Sequence, residues 1–175
     1  YSKLKERLPQ VKVIVGGTHV SALPKRTLEE SKDIDIVVKG EGDDTIIEVM
    51  DALKNKRDLT TVKGIAFRKD NKVVETQDRE LIKDLGKLSI PAYHLIKYDL
   101  YRSYMWNNWV SGHRSPVGSV FTGRGCYGEC TFCAAKVIFG RRIRYAPVER
   151  IKEEIDLLVN KYNVRVLYFQ DDTFT

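Results

Sequence analysis

The sequence has 175 residues, 42% hydrophobic and 31% charged, with a formal net charge of +6 and a pI near 9.2. That balance describes a globular chain of one ordinary domain or two small ones, and it excludes a disordered or membrane-embedded one, since the longest apolar runs fall short of the ~18–20 residues a membrane helix needs. The 30 Lys and Arg are scattered among 24 Asp and Glu, which describes a solvated surface, so nucleic acid is not an expected partner.

Residues 11–15, Val-Lys-Val-Ile-Val, form a β-branched run that stops at Gly16-Gly17 and predicts a strand. A helix over 24–30 follows. Ile34-Asp35-Ile36-Val37-Val38 predicts a second strand, closed by Gly40-Glu41-Gly42. Ile46, Ile47, Met50 and Leu53 then share one helical face, with Asp43, Asp44 or Thr45 available as the N-cap. Residues 65–68 and 73–76 flank an Asp70-Asn71 turn and predict a hairpin.

Strands separated by helices imply parallel pairing with helices on the sheet faces. Two such strands alone cannot make a parallel sheet covered on both sides. The expectation for residues 1–76 is therefore α/β, the C-terminal half of a doubly wound (Rossmann-like) domain. Earlier strands would be missing, and the opening at Tyr1 would mark a fragment. A small, complete α+β domain is the alternative.

Residues 77–115 carry Pro91, six aromatics (Tyr93, Tyr98, Tyr101, Tyr104, Trp106, Trp109) and little periodicity, which predicts a linker that packs on its neighbours. Residues 116–175 form the last region. A strand over 117–122 runs into Gly123-Arg124-Gly125-Cys126. A helix over 147–162 shows an apolar stripe of Val148, Ile151, Ile155, Leu158, Val159 and Tyr162, with Pro147 at its first position and Asn163 as its stop. Residues 164–169 then predict a largely buried strand ending at Gln170-Asp171-Asp172. The whole is one β–loop–α–β unit.

The three cysteines, Cys126, Cys130 and Cys133, lie within eight residues and cannot all pair as disulfides. Such clustering points to a metal site in a reducing, cytoplasmic compartment. Three thiolates can hold three irons of a [4Fe–4S] cube and leave the fourth open to a small molecule. Gly125 and Gly128 permit the tight path such a loop needs. Structural zinc usually takes four Cys or His ligands; none of His19, His94 and His113 lies within the loop. A zinc-stabilised, basic nucleic-acid-binding module therefore stands as an alternative reading. An iron–sulfur electron-transfer domain that does not use S-adenosylmethionine (SAM) is another. Arg141, Arg142 and Arg144, just after the loop, are expected to be a solvated basic stretch.

Thr122-Gly123-Arg124-Gly125-Cys126-Tyr127-Gly128-Glu129-Cys130-Thr131-Phe132-Cys133 resembles the cluster loop of the radical SAM enzymes. The resemblance implies the first unit of a partial TIM-type barrel, Cys126, Cys130 and Cys133 as cluster ligands, and no catalytic residue beyond the cluster. It also implies reductive cleavage of SAM to a 5′-deoxyadenosyl radical, with Phe132 beside the adenine. Asp171, Asp172 and Thr173 stand where this family often has Gly-Gly-Glu against the SAM amino group, and a carboxylate near an ammonium is sound electrostatics. Phe-x-Asp-Asp-x-Phe resembles the version found in members that carry a cobalamin domain.

Residues 15–19, Val-Gly-Gly-Thr-His, and 38–43 resemble the second half of such a cobalamin-binding domain. By that resemblance Gly16, Gly17, Thr18, Gly40, Glu41 and Gly42 would contact cobalamin. The family's cobalt-proximal Asp-x-His-x-x-Gly motif has no match here; Asp35 and His19 do not form it. The resemblance further implies cobalamin-dependent methyl transfer or ring remodelling of a small-molecule substrate, with a flavodoxin- or ferredoxin-like reductant as partner. The isolated piece is expected to be inactive.

Overall fold

A computed structural model describes residues 1–100 and 116–174. Tyr101, Tyr104, Trp106, Trp109 and His113 lie outside the described residues. The chain divides into two compact units, Tyr1–Ile82 with Gly125–Arg141, and Lys83–Arg124 with Arg142–Thr175.

In the first unit the elements run α1 (Ser2–Arg7), β1 (Ile14–Val15), α2 (Thr18–Ala22), α3 (Pro24–Glu30), β2 (Ile36–Val38), α4 (Asp43–Lys54), β3 (Ile65–Lys69) and β4 (Lys72–Glu75). They build a four-stranded sheet in the order β1-β2-β3-β4. β1 and β2 are parallel, with Ile14 opposite Ile36, and the β3–β4 hairpin continues the sheet antiparallel. The parallel pair is the one separated by helices, as expected of a connection that must cross a sheet face. Asp70 and Asn71 turn the hairpin with φ of 49° and 61°, the left-handed pair that matches strand twist and that Asn and Asp tolerate.

Alternation along β2 fills both faces. Ile36 and Val38 join Val49, Ala52, Val62, Ile65 and Phe67 under α4. Val37 points the other way, into a cluster with Val13, Val15, Leu28, Ile34 and Ala66. Arg68 caps α3 from the neighbouring strand: its guanidinium donates to the carbonyls of Leu28 and Ser31, each at 2.6 Å, and of Ile34 at 3.1 Å. A cation at a helix C-terminus also offsets the helix dipole.

Helix α4 departs from the expected amphipathic pattern. Its buried residues are Thr45, Val49 and Ala52, and its N-cap is Gly42 rather than Asp43, Asp44 or Thr45. Ile46, Ile47 and Met50 are exposed. Small residues at 45, 49 and 52 let the helix lie close on the sheet, which turns the bulkier stripe away from it.

The second unit holds β5 (Val117–Val120), β6 (Gly123–Arg124), β7 (Arg144–Tyr145), α6 (Val148–Tyr162) and β8 (Val166–Phe169), where α6 follows a short helix of the first unit, α5 (Ala135–Phe139). β5 and β8 pair in parallel, Val117 opposite Val166 through Val120 opposite Phe169. Pro147 is the N-cap of α6, and Asn163 ends it in the left-handed conformation, φ 54°. Leu158, Val120, Val164 and Tyr98 form the core, flanked by Ile151, Ile155 and Tyr162. Val148, counted in the predicted stripe, is exposed. β8 is only partly buried, since the described residues cover it less completely than a full parallel sheet would.

A buried acid stands within this core. Glu154 is 3% exposed, takes the Tyr93 hydroxyl on Oε1 at 2.6 Å and the Arg150 guanidinium on Oε2 at 2.9 Å. Arg150 also donates to the carbonyls of Leu88 and Ser89 at 3.1 Å each. This network ties residues 88–93 to α6. Burial, and then the Glu154 carboxylate, push the Tyr93 hydroxyl well above its usual range. Among the described residues no helix is long and apolar enough to cross a membrane.

Candidate metal and cofactor site

The cysteine loop leaves β6 and returns at β7. Gly125 opens it with φ +102°, a conformation that L side chains resist. The Cys126 N–H donates to the Gly140 carbonyl at 3.3 Å and closes the loop at its base. Beyond the cysteines the chain forms α5, which ends at Gly140 with φ 70°. α5 packs on α2, and Gly140 sits against Leu81, whose Cδ1 would be 2.6 Å from an added Cβ. Sequence reading missed this short helix. Its signal was the apolar Ala-Lys-Val-Ile-Phe run with a glycine directly after it.

Cys126 is half-buried, and Cys130 and Cys133 are exposed. Two sulfurs already receive backbone donors: Gly128 N–H to Cys126 Sγ at 3.4 Å and Ala135 N–H to Cys133 Sγ at 3.5 Å. A Cβ on Gly128 would stand 3.3 Å from Cys126 Sγ and 3.8 Å from Cys130 Sγ, so glycine keeps the space beside both sulfurs clear. Among the described residues no three His, Cys, Asp or Glu side chains converge on one ion. Three thiolates are the number that a cube takes on three of its irons, whereas structural zinc usually takes four Cys or His ligands. Phe132 is 90% exposed. Arg141 forms an ion pair with Glu129 of the loop, Arg142 is exposed, and Arg144 lies in β7.

In the second unit, the segment after β8 is held by a Gln170 N–H to Val120 carbonyl bond of 3.0 Å and by Phe169 and Phe174, whose rings lie 4.8 Å apart. Asp171 is half-buried, Asp172 exposed and Thr173 half-buried. Oδ1 of Asp171 accepts from the Thr122 N–H at 2.9 Å and the Thr122 hydroxyl at 2.8 Å, and also from the Gly123 N–H. These bonds tie the ends of β5 and β8 together.

The six residues expected against cobalamin fall in two places. Gly16 and Gly42 line an apolar groove of about 400 Å³ at the C-terminal ends of β1 and β2, with Ile14, Val15, Val38, Asp43 and Ile46. Gly17, with φ +104°, is the N-cap of α2, and Thr18 begins that helix. Gly40 and Glu41 border a second, polar cavity of about 380 Å³ with Lys39, Asp78, Arg79 and Ile138. Glu41 is 6% exposed, and its carboxylate receives the Ile82 N–H at 2.7 Å. Ligands of open parallel sheets bind at the carboxyl ends of strands, where the apolar groove lies.

Residues 2–50 match the family description of a B12 binding domain. An uncharacterized methyltransferase of Pyrococcus horikoshii is 38% identical over 163 residues, 93% of this chain and 34% of that protein. The anaerobic magnesium-protoporphyrin IX monomethyl ester cyclase of Synechocystis is 30% identical over 172 residues, 98% of this chain and 32% of that protein. The solved structure of OxsB, a cobalamin-dependent SAM radical enzyme with aqua-cobalamin bound, superposes with a TM-score of 0.73 at 20% identity, over 99% of this chain and 23% of that one. The cobalamin-dependent radical SAM methyltransferase TokK of Streptomyces tokunonensis is 26% identical over 176 residues, 98% of this chain and 24% of that protein. The chain spans about a quarter to a third of the length of these curated relatives.

Proposed function

We infer that the protein is a radical SAM enzyme that works with cobalamin to methylate an unreactive carbon or remodel a ring of a small molecule. When bound, the cluster, SAM and cobalamin would supply one-electron cleavage of SAM to a 5′-deoxyadenosyl radical and carriage of a methyl group. Cys126, Cys130 and Cys133 would hold the cluster. Gly128 keeps room beside two of the sulfurs, and the Gly128 and Ala135 amides donate to Cys126 and Cys133. Phe132 would offer an apolar face to an adenine, and the carboxylates after β8 an anionic partner to an ammonium. Gly16 and Gly42 would admit part of cobalamin to the apolar groove. A flavodoxin- or ferredoxin-like protein in a reducing, cytoplasmic setting would supply electrons.

The observation that carries this reading is the closed three-cysteine loop, with backbone donors on its sulfurs, in a chain whose front matches a B12 binding domain. Anaerobic reconstitution of the full-length protein is expected to give an oxygen-sensitive cluster with labile sulfide, and deoxyadenosine from SAM once the cluster is reduced. Cys130→Ala should abolish both. SAM cleavage retained by that variant, or a single zinc ion without sulfide in the wild type, would overturn the reading.

A further inference from the structure

Glu154 is a charged group set in an apolar core, outside the cysteine loop and both cavities. It is 3% exposed, and Leu158, one turn further along α6, is fully buried. A carboxylate in such a place is costly unless paired, and apolar side chains often serve packing equally well. Its two oxygens are divided. Oε2 holds the Arg150 guanidinium at 2.9 Å. Oε1 takes the Tyr93 hydroxyl at 2.6 Å, and the other acceptor for that hydroxyl, the Ser119 carbonyl, stands off at 3.4 Å.

Three tyrosine rings meet here. Tyr93 lies 5.7 Å from Tyr98 and 5.9 Å from Tyr162, and Tyr98 lies 5.2 Å from Tyr162. Residues 154, 158 and 162 share one face of α6, and single turns over Tyr93–Leu95 and Tyr98–Leu100 carry the other two rings. All of these residues belong to the second unit. Burial, and then Glu154, raise the Tyr93 and Tyr98 hydroxyls above their usual range, so Tyr93 meets an oxidant as a phenol. A phenol gives up an electron readily only if its proton leaves as well, because the radical cation is a strong acid. At 2.6 Å the proton has only to shift along an existing hydrogen bond, and a carboxylate beside the ring favours a positive hole. Tyr162 is less suited to hold the hole. Lys161 Nζ stands 5.7 Å from its ring centroid, and a cation over a ring binds its electrons more tightly.

We propose that Tyr93 is a redox-active residue, a sink for one-electron oxidants such as organic or metal-centred radicals. In the forward step one electron passes from the Tyr93 ring to the oxidant, and the phenolic proton passes to Oε1 of Glu154. A neutral tyrosyl radical and a neutral carboxyl remain, and Arg150 stays bonded to the Leu88 and Ser89 carbonyls. In the return step a thiolate gives one electron, Glu154 gives the proton back, and two of the resulting thiyl radicals join as a disulfide. The packed rings of Tyr98 and Tyr162 keep other radicals away from Tyr93, so its radical persists. This activity goes beyond the SAM reading given above and does not depend on it.

Flash photolysis of the full-length protein under anaerobic conditions tests the site, with tris(bipyridine)ruthenium as photosensitiser and a cobalt(III) ammine as sacrificial electron acceptor. Samples frozen after the flash are read by electron paramagnetic resonance, and ring-deuterated tyrosine identifies tyrosyl signals. The wild type should give a persistent tyrosyl signal that dithiothreitol discharges, and its formation should slow in D2O. Tyr93→Phe, which removes one hydroxyl, should lose the persistent signal. Glu154→Gln should form it roughly tenfold more slowly, the scale of one charged hydrogen bond, with unchanged circular dichroism. A persistent signal retained by Tyr93→Phe, or wild-type formation equally fast in D2O, overturns the proposal even if Glu154→Gln fails to fold. None of these readouts needs a cluster, so a failed reconstitution bears only on the SAM reading.

Discussion

Asp35 accepts from Lys5 Nζ at 2.6 Å and Lys12 Nζ at 3.0 Å, and from the Val13 N–H at 2.8 Å. Partial burial opposes its charge, but Lys5, the Val13 amide and Lys12 outweigh it and hold the carboxyl below its usual range. A carboxyl lowered on folding contributes stability above its unfolded pKa of ~3.9 and loses it as the pH falls through the lower folded value. Asp35→Asn should therefore cost about 1 kcal/mol at neutral pH, a figure reduced for the pair's partial exposure. Urea denaturation at pH 7 and again below pH 3 checks this, and the gap between variant and wild type should close at the acid end. In the sequence Asp35 drew notice only for not completing a cobalt-binding motif. Its work is to tie α1 and the start of the sheet to β2.

Helix α4 makes a contrast between two neighbouring positions. Val49 is fully buried, whereas Ile47 is 70% exposed. Val49→Ala should destabilise by about 2 kcal/mol through lost burial and a residual cavity, while Ile47→Ser should stay within about 0.5 kcal/mol of wild type. Urea midpoints at neutral pH separate them; equal losses would mean the helix presents its other face. Periodicity located this helix, because four large apolar residues at helical spacing are hard to mistake, yet of those four only Leu53 packs on the core, while Ile46, Ile47 and Met50 are exposed. Large side chains dominate such a pattern, while close approach to a sheet selects small ones such as Thr45 and Ala52. Strands and turns were easier to find, since Gly16-Gly17, Asp70-Asn71 and Asn163 stop elements by local backbone preference alone. α5 and the β6–β7 ladder escaped because elements this short carry too few residues for a period and depend on tertiary partners. Glu154 escaped for a related reason. Nothing in a helix sequence marks which glutamate will meet a tyrosine sixty residues away.

At the scale of the whole molecule, the residues of the candidate cluster site were legible from spacing alone, but the compact unit that carries them was not. The reading in three consecutive segments, 1–76, 77–115 and 116–175, follows chain order, whereas the compact units are interleaved: the stretch 125–141 packs with residues 1–82. Sequence patterns report local structure, and the contact of Gly140 with Leu81 spans too many residues to leave one. That contact gives a further prediction. Gly140→Ala would place a side chain at φ 70° and drive it against Leu81, at a cost of about 1–3 kcal/mol. Hydrogen exchange should then quicken over residues 126–139 and stay unchanged in β5 and β8. Uniform quickening would show that the segment is not anchored by this glycine.

The interleaving also sets an order of events at the ribosome. Residues 1–82 emerge first and can lay down their sheet, but the face of α2 and the side of Leu81 stay bare until the segment ending at Gly140 has been translated. The nascent front unit therefore spends that interval with an unfilled seat, and the cysteines reach their folded setting only when the later stretch drops into it.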